Sequence, residues 1–176
     1  MAEELLIEDE NSTEEDFSNA FGNDEVEEQP SLSIDNKKED LRTHSKIRTN
    51  LCGTILKLDS GYSKTTLQTT KEMALDDLGL VHSGFIYGAA DYAAAVAVNE
   101  PNVVIIGAKS KFLAPAKVED LIEFTATAKF EDSRKREIKV CGYINDIKVF
   151  EGIFQAIVLE HHIFKTKIKN ASRNYN

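Results

Sequence analysis

The pattern of hydrophobic and polar positions predicts several β-strands, most clearly in residues 121–130, LIEFTATAKF. Alternation of apolar with mostly polar side chains is typical of a strand that has one face on a core and the other nearer water. The residues of the apolar face are Ile122, Phe124, Ala126, Ala128 and Phe130. At Asn145–Asp146 the sequence predicts a two-residue hairpin turn. The run that follows is apolar on both faces, so we expect it to lie centrally in the sheet, with a bulge at Gly152.

One long helix is predicted over residues 83–99, SGFIYGAADYAAAVAVN, because the segment is rich in alanine and ends just before Pro101. It is small or apolar almost throughout, apart from the single carboxylate of Asp91. Two strands precede this helix and four follow it. A helix that is apolar nearly all round needs cover on several sides. The pattern therefore predicts an α+β fold in which a curved antiparallel sheet wraps around one long central helix, with a second subunit covering the rest.

Charge divides the chain into segments of different character. Residues 1–36 hold 13 acidic side chains and no basic one, whereas residues 37–176 hold 21 basic and 17 acidic ones. We interpret residues 1–36 as a disordered acidic tail, 37–48 as a lead-in segment, 49–162 as the folded domain and 163–176 as a basic C-terminal tail. The acidic tail argues against nucleic acid as a partner because it would repel phosphates. It serves either solubility or docking to a partner protein.

Cellular location and redox chemistry follow from what the sequence contains. No apolar run is long enough to span a bilayer, and the chain opens with acidic residues instead of a secretory signal. Cys52 and Cys141 form no metal or redox motif, so we interpret both as buried thiols. We expect a cytoplasmic protein without membrane insertion.

Asp91 belongs to a stripe of mostly small residues along the predicted helix. The members of the stripe are Gly84, Tyr87, Gly88, Asp91 and Ala95. Free backbone N–H groups of Ser83 and Gly84 at the helix start favour a developing negative charge, roughly 10 Å from Asp91. An acid placed there could act as a general base or as a nucleophile. Equally, it could be a structural acid that binds backbone N–H groups or a hydroxyl across a subunit interface.

Two motifs resemble those of known acyl-CoA thioesterases. The stretch HSGFIYGAAD, His82 to Asp91, is similar to the "HGG…D" motif of hotdog-fold thioesterases of the phenylacetate-pathway type. The stretch KFLAPAKVEDLIEFTATA, Lys111 to Ala128, resembles that family's FLxPAxxGDxLxAxA strand pair. The resemblance covers about residues 47–160. It implies a dimeric hotdog fold and thioester hydrolysis.

The same resemblance implies roles for individual residues. Asp91 matches the catalytic carboxylate, His82 the motif histidine, and Ser83 and Gly84 the glycines whose N–H groups hold the thioester oxygen. Ser83 departs from the family pattern, which has glycine at this position. Its Cβ narrows the approach of the substrate to the backbone N–H, which puts turnover rate or substrate size in doubt. Glu119 likewise replaces a turn glycine.

A second resemblance leads to a different function. The stretch GTILKLDSGYSKTTLQTT, together with AAAVAV and GAKSKFL, looks like the acyl-CoA-binding domain of malonyl-CoA-responsive repressors of fatty-acid synthesis. Those domains are non-catalytic and carry Asn where this chain has Asp91. They also follow a DNA-binding helix-turn-helix, whose place is taken here by the acidic tail. The chain also resembles hotdog proteins of Campylobacter type. An acyl-dehydratase is disfavoured because its His-Phe-Pro-Gly style motif is absent.

We therefore expect a homodimer that binds acyl-CoA and hydrolyses the thioester, in fatty-acid metabolism. The alternative is a non-catalytic sensor whose acidic tail contacts another protein. Lys111 lies where related domains place a basic residue towards CoA, Arg134 and Arg136 are further candidates for its phosphates, and Tyr87 for the lining of the acyl tunnel. We expect no metal and no cofactor beyond the CoA thioester itself.

Overall fold

A computed structural model describes residues 41–130 and 134–165. The acidic tail expected over residues 1–36 lies outside the described residues, and the basic C-terminal tail is described only as far as Lys165. The segment 41–48 forms irregular turns. The helices are α1 (Thr49–Cys52) and α2 (Ser83–Val98), and the strands are β1 (Thr54–Asp59), β2 (Tyr62–Gln68), β3 (Val103–Phe112), β4 (Leu121–Phe130), β5 (Lys135–Ile144) and β6 (Ile147–Val158). Short 3₁₀ turns lie at Lys71–Met73 and Ile163–Lys165.

The long helix α2 forms where the sequence predicts it, to within one residue. Asn99 ends the helix by taking a left-handed conformation, with φ of 50°, and its N–H donates to the carbonyl oxygen of Ala95 at 3.0 Å. Ten of the 16 helical residues are buried, most of them alanines. Because alanine side chains are short, the sheet can approach the helix backbone closely.

All strand pairs are antiparallel, and the six strands follow the order β1-β2-β4-β5-β6-β3. Helix α2 contacts every one of them. Six strands laid flat would span about 24 Å, whereas a helix with its side chains is about 10–12 Å wide. The sheet therefore curves around α2. The predicted antiparallel sheet with one main helix is confirmed, whereas the dimer stays a prediction.

The predicted alternation of β4 holds except at Phe130. In β4 the four residues from Ile122 to Ala128 on the apolar face are buried, but Phe130 is 54% exposed. It lies at the strand end, where the guanidinium Cζ of Arg136 is 5.4 Å from its ring centroid. The two-residue turn between Ile144 and Ile147 is confirmed.

Strand β6 has hydrogen-bonded neighbours on both sides, as expected for a strand that is apolar on both faces. The bulge predicted at Gly152 is wrong, because Gly152 pairs regularly with Val140 and Ser110. A Cβ at Gly152 would lie 3.0 Å from the ring of Phe154 and 3.2 Å from that of Phe150. The glycine is thus explained by aromatic packing.

The segment before β1 covers part of the side of α2 that the sheet leaves open, around Tyr92 and Val96. Tyr92 and Val96 of the helix are buried with Leu58, and four further residues pack on this cluster: Leu41, Ile47, Cys52 and Ile55. Arg42 anchors the segment to the end of α2, because its N–H donates to Asn99 Oδ1 at 2.8 Å and its guanidinium pairs with Glu100 at 3.4 Å. In the part of the chain that the structure describes, no helix is long and apolar enough to cross a membrane.

Candidate functional site

Asp91 lies near the middle of α2 and is half-buried. Within residues 41–130 and 134–165, no hydrogen bond or ion pair satisfies its carboxylate. Burial raises the pKa of Asp91, and the nearby His44 partly opposes that rise. Partial burial of a carboxylate without a hydrogen-bond partner costs free energy. A structural acid normally avoids this cost by forming hydrogen bonds within the protein. Within one chain, then, Asp91 has no structural hydrogen bond, while a bond to a hydroxyl across a subunit interface stays a prediction.

Three other titratable side chains lie within electrostatic range of Asp91. Burial, and then Asp91, raise the pKa of the half-buried Cys52 thiol, so Cys52 is a poor nucleophile. Both cysteines are half-buried, and the prediction of buried thiols is therefore wrong. Burial and Asp91 also raise the pKa of Tyr87, whose ring lies 5.6 Å from that of Phe154. His44 is the third.

Beside Asp91 the surface of α2 is open. A Cβ added at Gly88 would meet no atom within 4 Å, and Gly84 is exposed. We call Gly84, Gly88 and Asp91 the open strip. Ala95, one turn after Asp91, was predicted to belong to the same stripe but is fully buried. The open strip therefore ends at Asp91. A ligand could reach the helix backbone at Gly88, because glycine leaves it uncovered and no other atom fills the space.

At the start of α2 the motif histidine has a structural task. Nδ1 of His82 accepts a hydrogen bond from the Gly84 N–H at 2.9 Å and so caps the helix. A Cβ at position 84 would lie 2.8 Å from that nitrogen, which explains why glycine follows the serine. The Ser83 N–H makes no such bond among the described residues. Of the two amides predicted to hold an oxyanion, one is therefore occupied by the cap.

Lys111 lies at the same end of α2 as this cap. It is near the end of β3, opposite Glu151 of β6. The chain then continues to Ala116, whose carbonyl oxygen accepts the Val81 N–H at 2.9 Å, directly before His82. Lys111 thus precedes, by five residues, the residue that is hydrogen-bonded next to the helix start.

The two predicted arginines lie at the other end of α2. Arg134 pairs with Glu160, whose carbonyl oxygen accepts the side-chain amide of Asn102. Arg136 lies over Phe130, which shares a cavity of about 340 Å³ with Val98, the last residue of α2. The length of the helix, about 24 Å at 1.5 Å per residue, therefore separates the arginines from Ser83 and Gly84.

A second cavity, of about 240 Å³, is lined by Thr43, His44, Pro101 and His162 among others. Asp91 lines neither cavity. Among the described residues no group of three or more His, Cys, Asp or Glu side chains could hold a metal ion.

His44 is the residue at this site that sequence reasoning missed. It lies 47 positions before Asp91 in a segment without periodicity, so no local pattern connects the two. Thr43 Oγ1 lies 2.7 Å from His44 Nδ1, and the His44 ring is 6.1 Å from that of Tyr92, next to Asp91 in sequence. Burial lowers the pKa of His44, and Asp91 opposes that change.

No family model matches the chain, but solved structures do. Cj0977, a sigma28-regulated virulence protein from Campylobacter jejuni, is 44% identical over 71% of this chain and 89% of that chain, with a TM-score of 0.69. The uncharacterized protein PH1136 from Pyrococcus horikoshii is 39% identical over 71% of this chain and 96% of that one, also with a TM-score of 0.69.

More distant solved structures share the fold of this chain. PaaI from Thermus thermophilus, a phenylacetic acid degradation protein, is 22% identical with a TM-score of 0.57 over 62% of this chain and 95% of that one. A hypothetical thioesterase with coenzyme A from Streptococcus pneumoniae is 16% identical with a TM-score of 0.56 over 62% and 87%. At this identity they show the fold alone.

These structures together place the chain in the hotdog fold, and to that extent the resemblance predicted from the two motifs is confirmed. Within it, the chain belongs to the family that includes Cj0977 and PH1136. One curated relative, methylthioribose-1-phosphate isomerase from Aquifex aeolicus, is 45% identical over 120 residues, or 68% of this chain. This chain spans only 26% of that longer protein, to which the isomerase name belongs.

Proposed function

We propose that this protein binds acyl-CoA and hydrolyses its thioester bond, with Asp91 as the general base or nucleophile. One observation carries the proposal: the Asp91 carboxylate is half-buried, without a hydrogen bond or ion pair in the described structure, beside an uncovered stretch of helix backbone. A side chain held in this way is available to a ligand. Its raised pKa also makes it a stronger base than an ordinary aspartate.

As a general base, Asp91 takes a proton from water while the water oxygen attacks the thioester carbonyl. The carbon–sulfur bond then breaks, and the CoA sulfur takes the proton that Asp91 removed from water, so that a carboxylic acid and the CoA thiol leave. As a nucleophile, the Asp91 carboxylate attacks the carbonyl, the carbon–sulfur bond breaks with loss of the CoA thiolate, and an anhydride forms; water then cleaves the anhydride, which releases the carboxylic acid and restores Asp91, and the water proton goes to the thiolate. The acyl chain runs along the open strip in either case, with Tyr87 beside it.

The distances within one chain favour a dimer. The helix start and Asp91 are roughly 10 Å apart, whereas one reacting carbonyl must lie about 3 Å from both its amide donor and its attacking group. The donor and the acid that act on one thioester therefore come from two copies. Lys111, near the helix start, binds the phosphates of CoA. Arg134 and Arg136 lie at the far end of α2. They contact CoA only if the ligand, bound at the helix start of the second copy, extends to that end.

Release of free thiol from acyl-CoAs of graded chain length tests the proposal, with Asp91→Asn as the variant. We expect a loss of about 10²- to 10⁴-fold in turnover, the usual contribution of a general base, with acyl-CoA affinity retained. Binding is measured by calorimetry on the same samples. Full turnover by Asp91→Asn would contradict the proposal, because the amide cannot accept the proton.

A second candidate function is a non-catalytic acyl-CoA sensor whose acidic tail contacts a protein partner. The cap at the helix start favours it, because His82 already occupies the Gly84 amide that hydrolysis would use. The same assay separates the two. Tight binding without turnover at any chain length supports the sensor, and removal of residues 1–36 then tests whether the tail is needed for the partner.

A further inference from the structure

The loop that leads into α2 exposes several apolar side chains. We call residues 72–80, EMALDDLGL, the leucine loop. Leu75 is 60% exposed and Leu78 is 83% exposed, and Leu80 is also exposed. A single exposed leucine is ordinary on a protein surface, whereas a group of them on one short loop marks an interaction site.

The leucine loop is held in one shape and is tied to the start of α2. Asp76 Oδ1 accepts the N–H groups of Leu78 and Leu80 at 3.0 and 3.1 Å. The N–H of His82, the residue directly before the helix, donates to the carbonyl oxygen of Met73 at 2.9 Å. A surface that is already ordered loses little conformational entropy when a partner binds to it.

Acidic side chains accompany the exposed leucines. The leucine loop contains three acidic residues and no basic one. Glu72 and Asp77 are exposed, and among residues 41–130 and 134–165 neither of them forms an ion pair. The loop therefore fits a partner that is apolar and positively charged, and its charge disfavours an anionic lipid surface.

Segment 41–48, which packs beside Asp91, carries the opposite charge. Its sequence, LRTHSKIR, contains three Lys or Arg residues and no acidic one. The segment packs on the cluster that includes Tyr92, the residue after Asp91. Lys46 and Arg48 are exposed, and neither forms an ion pair in the part of the chain that the structure describes.

The proposed reaction requires these two surfaces to approach one another in a dimer. The thioester carbonyl lies about 3 Å from Asp91 of one copy and from a helix-start amide of the second copy. In that second copy the leucine loop ends three residues before Ser83, a chain length of at most roughly 10 Å. The loop of one copy is therefore within reach of segment 41–48 of the other, which lies beside the same Asp91.

We propose that the leucine loop of each copy docks on segment 41–48 of the other copy, and so holds the helix start of one chain at Asp91 of the second. The acids of the loop face the cations of the segment, and Leu78 is buried in the contact. Two-fold symmetry forms the contact twice in each dimer. The inference rests on the proposed function for its catalytic meaning, but the contact can be measured without turnover.

Charge reversal in the full chain tests the contact. The loop variant carries Glu72→Lys and Asp77→Lys, and the segment variant carries Lys46→Glu and Arg48→Glu. Asp76 is left unchanged because it holds the shape of the loop. Each variant alone places like charges opposite one another in both contacts, so we expect the dissociation constant of its dimer to rise at least about tenfold. Sedimentation velocity over a concentration series measures this change.

An equimolar mixture of the two variants gives the sharpest result. In a heterodimer the new lysines of the loop variant face the new glutamates of the segment variant, and the other contact keeps the native charges. We expect heterodimers of nearly wild-type affinity, which native mass spectrometry distinguishes from homodimers by mass. A mixture that dissociates as readily as the separate variants would overturn the inference, as would a wild type that is monomeric at every concentration.

Leu78→Ser tests the apolar part of the contact. Loss of a leucine side chain that is buried between two copies should weaken the dimer on the order of tenfold or more. Phe164→Ser is the matched control, because Phe164 is 88% exposed in the turn after β6, and we expect it to leave the dissociation constant unchanged. No weakening by Leu78→Ser, or equal weakening by both variants, would contradict the proposed contact.

Turnover distinguishes this inference from the proposed function. If both hold, thioester hydrolysis falls with the dimer in each charge variant and returns in the mixture. A wild-type dimer that forms through this contact but releases no thiol would contradict the proposed function alone. Hydrolysis at the full rate by a loop variant that is monomeric would overturn the inference, because one copy would then be sufficient.

Discussion

Polar side chains on the two sides of helix α2 differ in their hydrogen bonding. On the side that faces the sheet, the fully buried Ser63 donates its hydroxyl to the carbonyl oxygen of Ala93 at 2.7 Å. On the other side, the half-buried Asp91 makes no hydrogen bond within the described residues. A group that serves stability is normally satisfied in place, whereas a group that serves a ligand keeps its hydrogen-bonding capacity for it. The contrast supports our proposal that the second side binds the ligand.

We expect the largest effect on stability from alanine substitutions at two glycines, Gly142 on the sheet-facing side of α2 and Gly88 on its other side. A Cβ at Gly142, under the sheet-facing core, would lie 2.8 Å from Phe124 and 3.2 Å from Phe150, whereas one at Gly88 meets nothing within 4 Å. We expect Gly142→Ala to lower the free energy of unfolding by about 1–3 kcal/mol through overpacking. Gly88→Ala should raise it by up to about 1 kcal/mol, because alanine is the better helix former.

Urea unfolding of both variants measures these changes, and calorimetry with acyl-CoA measures binding. We expect weaker binding in Gly88→Ala, since the added methyl group narrows the open strip. Destabilisation by Gly88→Ala would mean that another molecule covers this side in solution, and the contrast between the two sides would then need revision.

A smaller change is expected on removal of the satisfied hydroxyl. Ser63→Ala leaves the carbonyl oxygen of Ala93 without this side-chain partner, which costs about 1 kcal/mol, the usual net value of one hydrogen bond. For a chain of this length that corresponds to a fall of about 2–4 °C in Tm. Thermal unfolding measures it. An equal fall in acyl-CoA affinity at temperatures where Ser63→Ala is fully folded would contradict its purely structural role.

The smallest effect concerns the pH dependence of stability. Burial raises the pKa of Asp91 in the folded chain, so folding favours the protonated carboxyl. The stability that this contributes is complete below the unfolded pKa of about 3.9 and is lost as the pH rises through the folded pKa. Asp91→Asn should therefore gain stability relative to the wild type as the pH rises through that window.

Urea unfolding at a series of pH values measures this difference. Ser63→Ala is the control, because it removes no titratable group, and its difference from the wild type should stay constant with pH. A relative stability of Asp91→Asn that falls with rising pH would show that the carboxylate is stabilised in the folded chain, contrary to the environment described above.

The local pattern of the sequence was sufficient to predict these helices and strands and to single out Asp91 within α2. Alanine content and the stop before Pro101 determined α2 to within one residue, alternation determined β4, and Asn145–Asp146 determined a hairpin. These features depend on interactions between residues close in the chain, so periodicity and turn preferences report them.

Only the tertiary structure decided which groups meet at the acid. The cap by His82 depends on a side-chain rotamer, and the approach of His44 depends on how segment 41–48 packs on α2. The position of Arg136 at the far end of the helix follows from the register of β4 with β5. Such contacts join residues far apart in the chain, and their geometry is set by the packing of whole elements. The sequence therefore identified Asp91, but its surroundings were determined by the fold.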